Sequence, residues 1–193
     1  TLRGQIQIAP GCIIEPNVLL ENVTIGDNSY IGANCQITNS SLAANIRIRA
    51  SSVIDQASIA EACEVGPMAH LRTGTMLSPN VCVGNFVEIK SSCLSKQTKV
   101  KHLSYLGNAT IGASVNIGAG TIICNYDGQV KHPTHIDDGA FIGSNSSLIA
   151  PLKIGSDAFI AAGSTISYDV PRAHIAFGRA RQSTKPQKIR EED

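Results

Sequence analysis

With 16 Lys and Arg against 15 Asp and Glu, the 193-residue chain has a formal net charge of +1, which argues against a nucleic-acid groove or an anionic membrane surface as its partner. No apolar run approaches the length of a membrane span, and no basic leader precedes an apolar stretch. Aromatic residues make up 4% of the chain, Trp is absent and Gly reaches 17; the expectation is one domain with a narrow core and many turns.

The elements repeat from near the N-terminus. Around Ile13 and Leu19 the chain is expected to enter a stack, and from there aliphatic anchors recur every six residues: Ile25, Ile31, Ile37. The register shortens to Leu42, Ile48, Ile54, and again to Ile59, Val65, Leu71, Leu77, Val83, Ile89. Two further shortenings lead through Leu94, Val100, Leu106 and Ile111, Ile117, Ile123, and after a gap the series ends with Ile136, Ile142, Leu148, Ile154, Ile160, Ile166. All 24 anchors are Ile, Leu or Val, and two positions before each anchor 22 of the 24 residues are Ala, Ser, Thr, Cys or Val, so both positions are expected to point inward. Gly follows the anchor directly in nine cases, where a tight corner would exploit its tolerance of unusual backbone angles; Asn28 and Asn34 are expected to serve other corners.

Three anchors per coil give steps of 17, 18 and 17 residues from Leu42 to Ile59, Leu77 and Leu94. The prediction is an all-β triangular prism of short parallel strands, eight full coils and an N-terminal start, on the order of 40 Å long. Between Ile123 and Ile136 the step is 13, so seven extra residues, NYDGQVK at 125–131, are expected to leave the prism as an external loop. The repeat stops at Asp169-Val170-Pro171, which places the prism domain at 1–181 and a polar, aperiodic arm at 182–193. The six cysteines form no CxxC pair and no metal-like spacing, as expected of reduced thiols in a cytoplasmic protein without a metal site. Because the chain opens at Thr1 without an initiator Met, it reads as a segment of something longer.

A hexapeptide prism alone serves several acyltransferases, γ-class carbonic anhydrases and non-catalytic assembly proteins. The motifs narrow the choice. GPMAHLRTG (66–74), GNFVEIK (84–90), KHLSYLGNATIG (101–112), NIGAGTIICNYDG (116–128), FIGSNSSLIAP (141–151) and FIAAGSTI (159–166) closely resemble the C-terminal domain of the bifunctional N-acetylglucosamine-1-phosphate uridyltransferase and glucosamine-1-phosphate acetyltransferase family. The resemblance implies a left-handed parallel β-helix, a hand that general crossover rules would not have chosen. It also implies a cytoplasmic homotrimer that moves an acetyl group from acetyl-CoA to the amine of glucosamine 1-phosphate, supplying UDP-N-acetylglucosamine for peptidoglycan and lipopolysaccharide. The family's Mg2+-dependent uridyltransferase activity belongs to a separate N-terminal domain of another fold, which residues 1–193 do not encode. Another amino sugar as acceptor is the alternative.

By the same resemblance His102 is the catalytic base. It lies between anchors Val100 and Leu106, where a side chain can face outward, and acyl transfer to an amine needs a group that takes the amine's proton. His70, His132, His135 and His174 are read as ordinary surface residues. Arg72, Lys90 and Lys131 match the family's acceptor-binding cations; Arg72 and Lys90 are 18 residues apart, one coil, and like charges stacked that closely repel unless an anion bridges them. Tyr105 and Asn116 match sugar-binding positions, with groups suited to sugar hydroxyls. Ala119, Asn125, Tyr126, Ser144, Ala162 and Arg179 match the acetyl-CoA side. The chain departs from the family at Thr73, where Pro is common, and after Gln182, where an aromatic-containing arm is common.

Overall fold

The computed structural model describes residues 1–186 as a parallel β-helix. Its strands fall on three faces. Face I is a ten-stranded sheet running from Ile13–Ile14 through Tyr30–Ile31, Arg47–Ile48, Glu64–Val65, Cys82–Asn85, Lys99–His102, Asn116–Ile117, Phe141–Ile142 and Phe159–Ile160 to Ile175–Ala176. The strands of faces II and III join into one further sheet, because the strand Leu19–Ile25 runs around the corner between them. Face II carries Gln36–Thr38, Val53–Asp55, His70–Leu71, Glu88–Lys90, Tyr105–Gly107, Ile122–Cys124, Ser147–Ile149 and Thr165–Ile166. Face III carries Ser41–Leu42, Ala57–Ile59, Thr75–Leu77, Cys93–Leu94, Ala109–Ile111, Thr134–Ile136 and Leu152–Ile154.

The register follows the anchors: Ile31 pairs with Ile48, Ile54 with Leu71 and Ile111 with Ile136. None of the 24 anchors exceeds 5% exposure, so the axis of the prism is an aliphatic column. The small residues two positions earlier close it at the corners. Ser40 and Ser92 show why a hydroxyl suits that place: each donates to a carbonyl of its own coil (Thr38, 2.7 Å; Lys90, 2.8 Å) and accepts the amide of the next (Ala57, 3.1 Å; Ala109, 3.0 Å). A buried hydroxyl with both roles filled carries no desolvation penalty from unmade bonds. Cys35 and Cys63 occupy equivalent inward positions, and burial raises the Cys63 thiol to about 11.

The four shortenings among the 24 anchors occur at the corner from face II to face III. There a single residue turns the chain in the left-handed region: Asn39 (φ 48°), Gln56 (49°), Ser91 (47°) and Asn108 (53°). Asn28 and Asn34 turn other corners with φ of 54° and 60°, as expected. The expectation for the glycines needs correction. Of the nine that follow an anchor only Gly66 has positive φ. The constraint on the others is space: a Cβ on Gly26 or Gly32 would lie 2.6 Å from backbone atoms of the next coil. Stacking of coils, not backbone angle, selects glycine there.

The ends differ from the sequence reading too. The first anchors are Ile14 and Leu20, paired with Ile31 and Ile37, rather than Ile13 and Leu19. A strand Leu2–Ile8 adds a coil before them, and Val170 and Ala176 add one after Ile166. Ten strands on face I at about 4.8 Å each give a length of roughly 45 to 50 Å. Residues 182–186 of the expected arm are exposed and outside any strand; its remainder lies outside the described residues.

Candidate active site at the corner of faces I and II

His102 ends the face I strand Lys99–His102, where the chain turns towards face II, and it is exposed. Asn85 is its register partner one coil earlier, and its Oδ1 lies 2.7 Å from His102 Nδ1. In the opposite direction the same corner position holds Ala119, then Ser144, then Ala162. The backbone ladder joins them: the carbonyls of His102, Ala119 and Ser144 accept from the amides of Gly120 (3.4 Å), Asn145 (2.7 Å) and Gly163 (2.8 Å). Arg179 closes the series, its Cδ 3.8 Å from where a Cβ on Gly163 would stand and its guanidinium 5.9 Å from the ring of Phe177. Four residues singled out by the acetyl-CoA resemblance thus continue the corner that begins with His102, and three of them form a strip without bulk.

Beyond that corner, face II gathers the cations. Arg72 and Lys90 stand in successive coils, as their spacing requires, with the Arg72 amide donating to the Ile89 carbonyl (2.8 Å). Lys131 is brought to them by the external loop. The ammonium of Lys131, then the guanidinium of Arg72, push the Lys90 pKa below that of a free lysine, with Glu88 opposing weakly. The protein supplies one anion of its own, since Arg72 Nη1 donates to Glu88 Oε1 at 2.6 Å. The repulsion therefore centres on Lys90 and Lys131.

Tyr105, between Glu88 and Ile122 in the face II ladder, folds its hydroxyl over Gly107. A Cβ on Gly107 would meet Tyr105 Oη at 2.5 Å and Asn125 Nδ2 at 2.7 Å, so glycine makes room for both. Asn116 is the exception. It stands on face I between Lys99 and Phe141, and a single chain does not bring it to the face II cluster.

The loop is ordered by its own chemistry. Asn125 is 6% exposed and donates to Asn108 Oδ1 at 2.7 Å, so it belongs to the prism, and the excursion starts at Tyr126. Tyr126 and Lys131 form an antiparallel bridge, and the His132 amide donates to the Asn125 carbonyl at 2.8 Å. Asp127 Oδ1 accepts the amides of Gln129 and Val130, both at 2.8 Å, while Oδ2 meets His132 Nε2 at 2.7 Å. These bonds hold the Asp127 carboxyl well below the usual carboxylate range. The roles of Asn85, Glu88, Gly107 and the Asp127–His132 pair were not found by sequence reasoning, which read Gly107 only as a corner glycine and His132 only as a surface residue. The one-coil spacing of 17 between Asn85 and His102 was a usable signal; Asp127 and His132 meet inside an aperiodic segment, where spacing says nothing.

Coils of this length, stacked on three faces, define a hexapeptide-repeat prism. Residues 133–167 match the bacterial transferase hexapeptide model, and residues 2–83 match the model of the GMPPB C-terminal domain. The chain is 46% identical over 195 residues to the bifunctional protein GlmU of Acinetobacter baumannii (strain AYE), covering 98% of this chain and 43% of that protein. With GlmU of Heliobacterium modesticaldum the identity is 52% over 174 residues, 90% of this chain and 38% of that one. The chain belongs to the GlmU family and corresponds to its C-terminal part, spanning about two fifths of the length of the curated relatives it matches. Among solved structures, the UDP-N-acetylglucosamine acyltransferase of Francisella novicida superposes with a TM-score of 0.54 at 22% identity, over 88% of this chain and 62% of that one. A point mutant of the perosamine N-acetyltransferase of Caulobacter crescentus, in complex with CoA and GDP-perosamine, gives 0.51 at 21% identity over 59% and 53%. Both share the left-handed β-helix.

Proposed function

We propose that the chain transfers the acetyl group of acetyl-CoA to the amine of glucosamine 1-phosphate. The observation that carries this reading is the junction at His102: a narrow strip of Ala119, Ser144 and Ala162 leads to it along the corner, and the cations of face II lie beyond it. The strip suits a pantetheine arm, with Arg179 at its far end for the CoA phosphates, Tyr126 at the start of the loop and Asn125 at its base. Arg72, Lys90 and Lys131 suit the phosphate of the acceptor, and Tyr105 its hydroxyls. Family membership supports the same assignment.

In the reaction the neutral amine attacks the thioester carbonyl carbon as His102 takes the amine proton. The tetrahedral intermediate then collapses, the C–S bond breaks, and the proton passes to the departing CoA thiolate. No step calls for a metal, and the family's Mg2+ belongs with the uridyltransferase domain. The position of Asn116 on face I supports a homotrimer in which face I of one copy meets face II of another. The product would feed UDP-N-acetylglucosamine synthesis for peptidoglycan and lipopolysaccharide in the cytoplasm. Among the described residues no helix is long and apolar enough to cross a membrane.

The test is incubation with acetyl-CoA and a panel of amino sugars, with product identified by mass spectrometry. Glucosamine 1-phosphate should be the preferred acceptor. Replacement of His102 by Ala should lower kcat by at least ~10²-fold without changing the melting temperature; near-normal turnover would place the base elsewhere.

A further inference from the structure

We infer that Asn85 is a positioning residue that sets the tautomer of His102, directing the ring's lone pair at Nε2 towards the acceptor amine. The inference rests on the reading of His102 as the base. A neutral imidazole carries its proton on one nitrogen and accepts with the other, and whatever the first is bonded to decides which does which. Among the described residues the ring's partner is Asn85, whose Oδ1 stands 2.7 Å from Nδ1. A carbonyl oxygen can only accept. Nδ1 therefore donates, and Nε2 is left unprotonated, as a base must be before it takes the amine proton.

Both residues come from the same corner of consecutive coils. They are 17 residues apart and directly in register, and the Leu103 amide donates to the Asn85 carbonyl at 3.0 Å, so the backbone beside each side chain is fixed by the ladder. It is the carbonyl end of the Asn85 amide that faces the ring. Arg49, Glu64, Cys82 and Lys101 line the same shallow recess as Asn85 and His102, with Lys101 Nζ donating to Cys82 Sγ at 3.1 Å and Arg49 paired to Glu64. The carboxylate in that recess is thus held by Arg49, and the neutral amide next to His102 orients the ring without charging it. A carboxylate in its place would stabilise the imidazolium and raise the pKa of the base. An amide supplies direction alone.

The experiment uses protein labelled with 15N in histidine, with the His102 signals assigned by their loss in His102→Gln. Long-range 1H–15N spectra should show the proton on Nδ1 in the wild type and a shift towards the Nε2–H form in Asn85→Ala. Asn85→Ala should lower kcat by about 10- to 100-fold, the range typical of lost outer-shell partners of a histidine, with the KM values for acetyl-CoA and glucosamine 1-phosphate and the melting temperature nearly unchanged. Asn85→Asp should keep the Nδ1–H form, recover much of kcat, and move the acidic limb of the kcat/KM profile upward by about one pH unit. A wild-type ring protonated on Nε2, or an Asn85→Ala enzyme with normal kcat, would overturn the inference. If His102→Ala were active while the wild-type ring still carried its proton on Nδ1, the base assignment would fall and the pairing would stand.

Discussion

Lys90 sits where two like charges press on it. Lys131 and Arg72 lower its pKa, so in the free protein its ammonium is lost at a lower pH than that of an isolated lysine. A phosphate placed among the three would reverse that shift, which makes binding of the anion and protonation of Lys90 mutually supportive. The sign follows directly: the KM for glucosamine 1-phosphate should rise as pH increases through the lowered Lys90 pKa, earlier than the ordinary lysine value, whereas turnover of plain glucosamine should lack this limb. Lys90→Met should reduce kcat/KM for glucosamine 1-phosphate by about 10- to 100-fold, as expected for a lost charge-assisted bond, and barely alter the slow rate with glucosamine. An equal loss for both acceptors would remove the cation set from phosphate recognition. Arg72 is the poorer probe, because its removal also frees the Glu88 carboxylate beside Lys90. The spacing of Arg72 and Lys90 was legible in the sequence since a coil is a fixed number of residues. That Glu88 already pairs with Arg72 was not, because outward side chains on one face have several neighbours and spacing does not choose among them.

At the level of elements, the loop illustrates what periodicity can and cannot specify. The interruption after Ile123 announced an excursion, but its first residue is part of the wall: Asn125 is buried and bonded to Asn108, its counterpart one coil earlier. A deletion should therefore spare Asn125. Its carbonyl already accepts the His132 amide, so the two stems are adjacent. Replacing residues 126–131 by two glycines should leave the melting transition in place while weakening acetyl-CoA and acceptor binding by about 10-fold or more, on loss of Tyr126 and Lys131. Collapse of the fold would show the loop to be structural. Within the loop the depressed Asp127 pKa means that its bonds are fully formed above the ordinary carboxylate pKa and are lost as pH falls through the lower folded value. Amide exchange at Gln129 and Val130 should stay slow below about pH 4 in the wild type, where an ordinary Asp would be protonated, and be fast throughout in Asp127→Ala. The glycines after the anchors carry a related lesson. The sequence marks them as special without saying why, and only the distance to the next coil separates a need for space from a need for positive φ.

For the whole molecule, stability is a sum over neighbouring coils, since each coil touches only those above and below it. The aliphatic period was legible because inward positions must be apolar in every coil. The ends were not, since the terminal coils lack a neighbour on one side and the pattern loosens where there is less to bury. Ile14 is 37% exposed although it occupies an anchor position, and the last face I anchor is only an Ala, Ala176, six residues after a Val170 that follows Ile166 by four. Position along the axis should then govern the effect of one and the same substitution. Ile89 lies in the middle with no exposed surface, enclosed by Leu71 below and Leu106 above. Ile89→Ala leaves a cavity that the rigid ladders cannot close and should cost about 2 to 5 kcal/mol. Ile14→Ala removes a side chain that water already reaches and should cost under about 1 kcal/mol. Denaturant unfolding at one fixed protein concentration, chosen because assembly would otherwise shift the midpoint, measures both, and amide exchange locates the damage. Lost protection should centre on the coils flanking residue 89 in the first variant and remain at the N-terminal end in the second. Equal costs, or protection lost evenly along the chain in both, would mean that the prism unfolds as a single cooperative block and that nearest-neighbour coupling does not describe it.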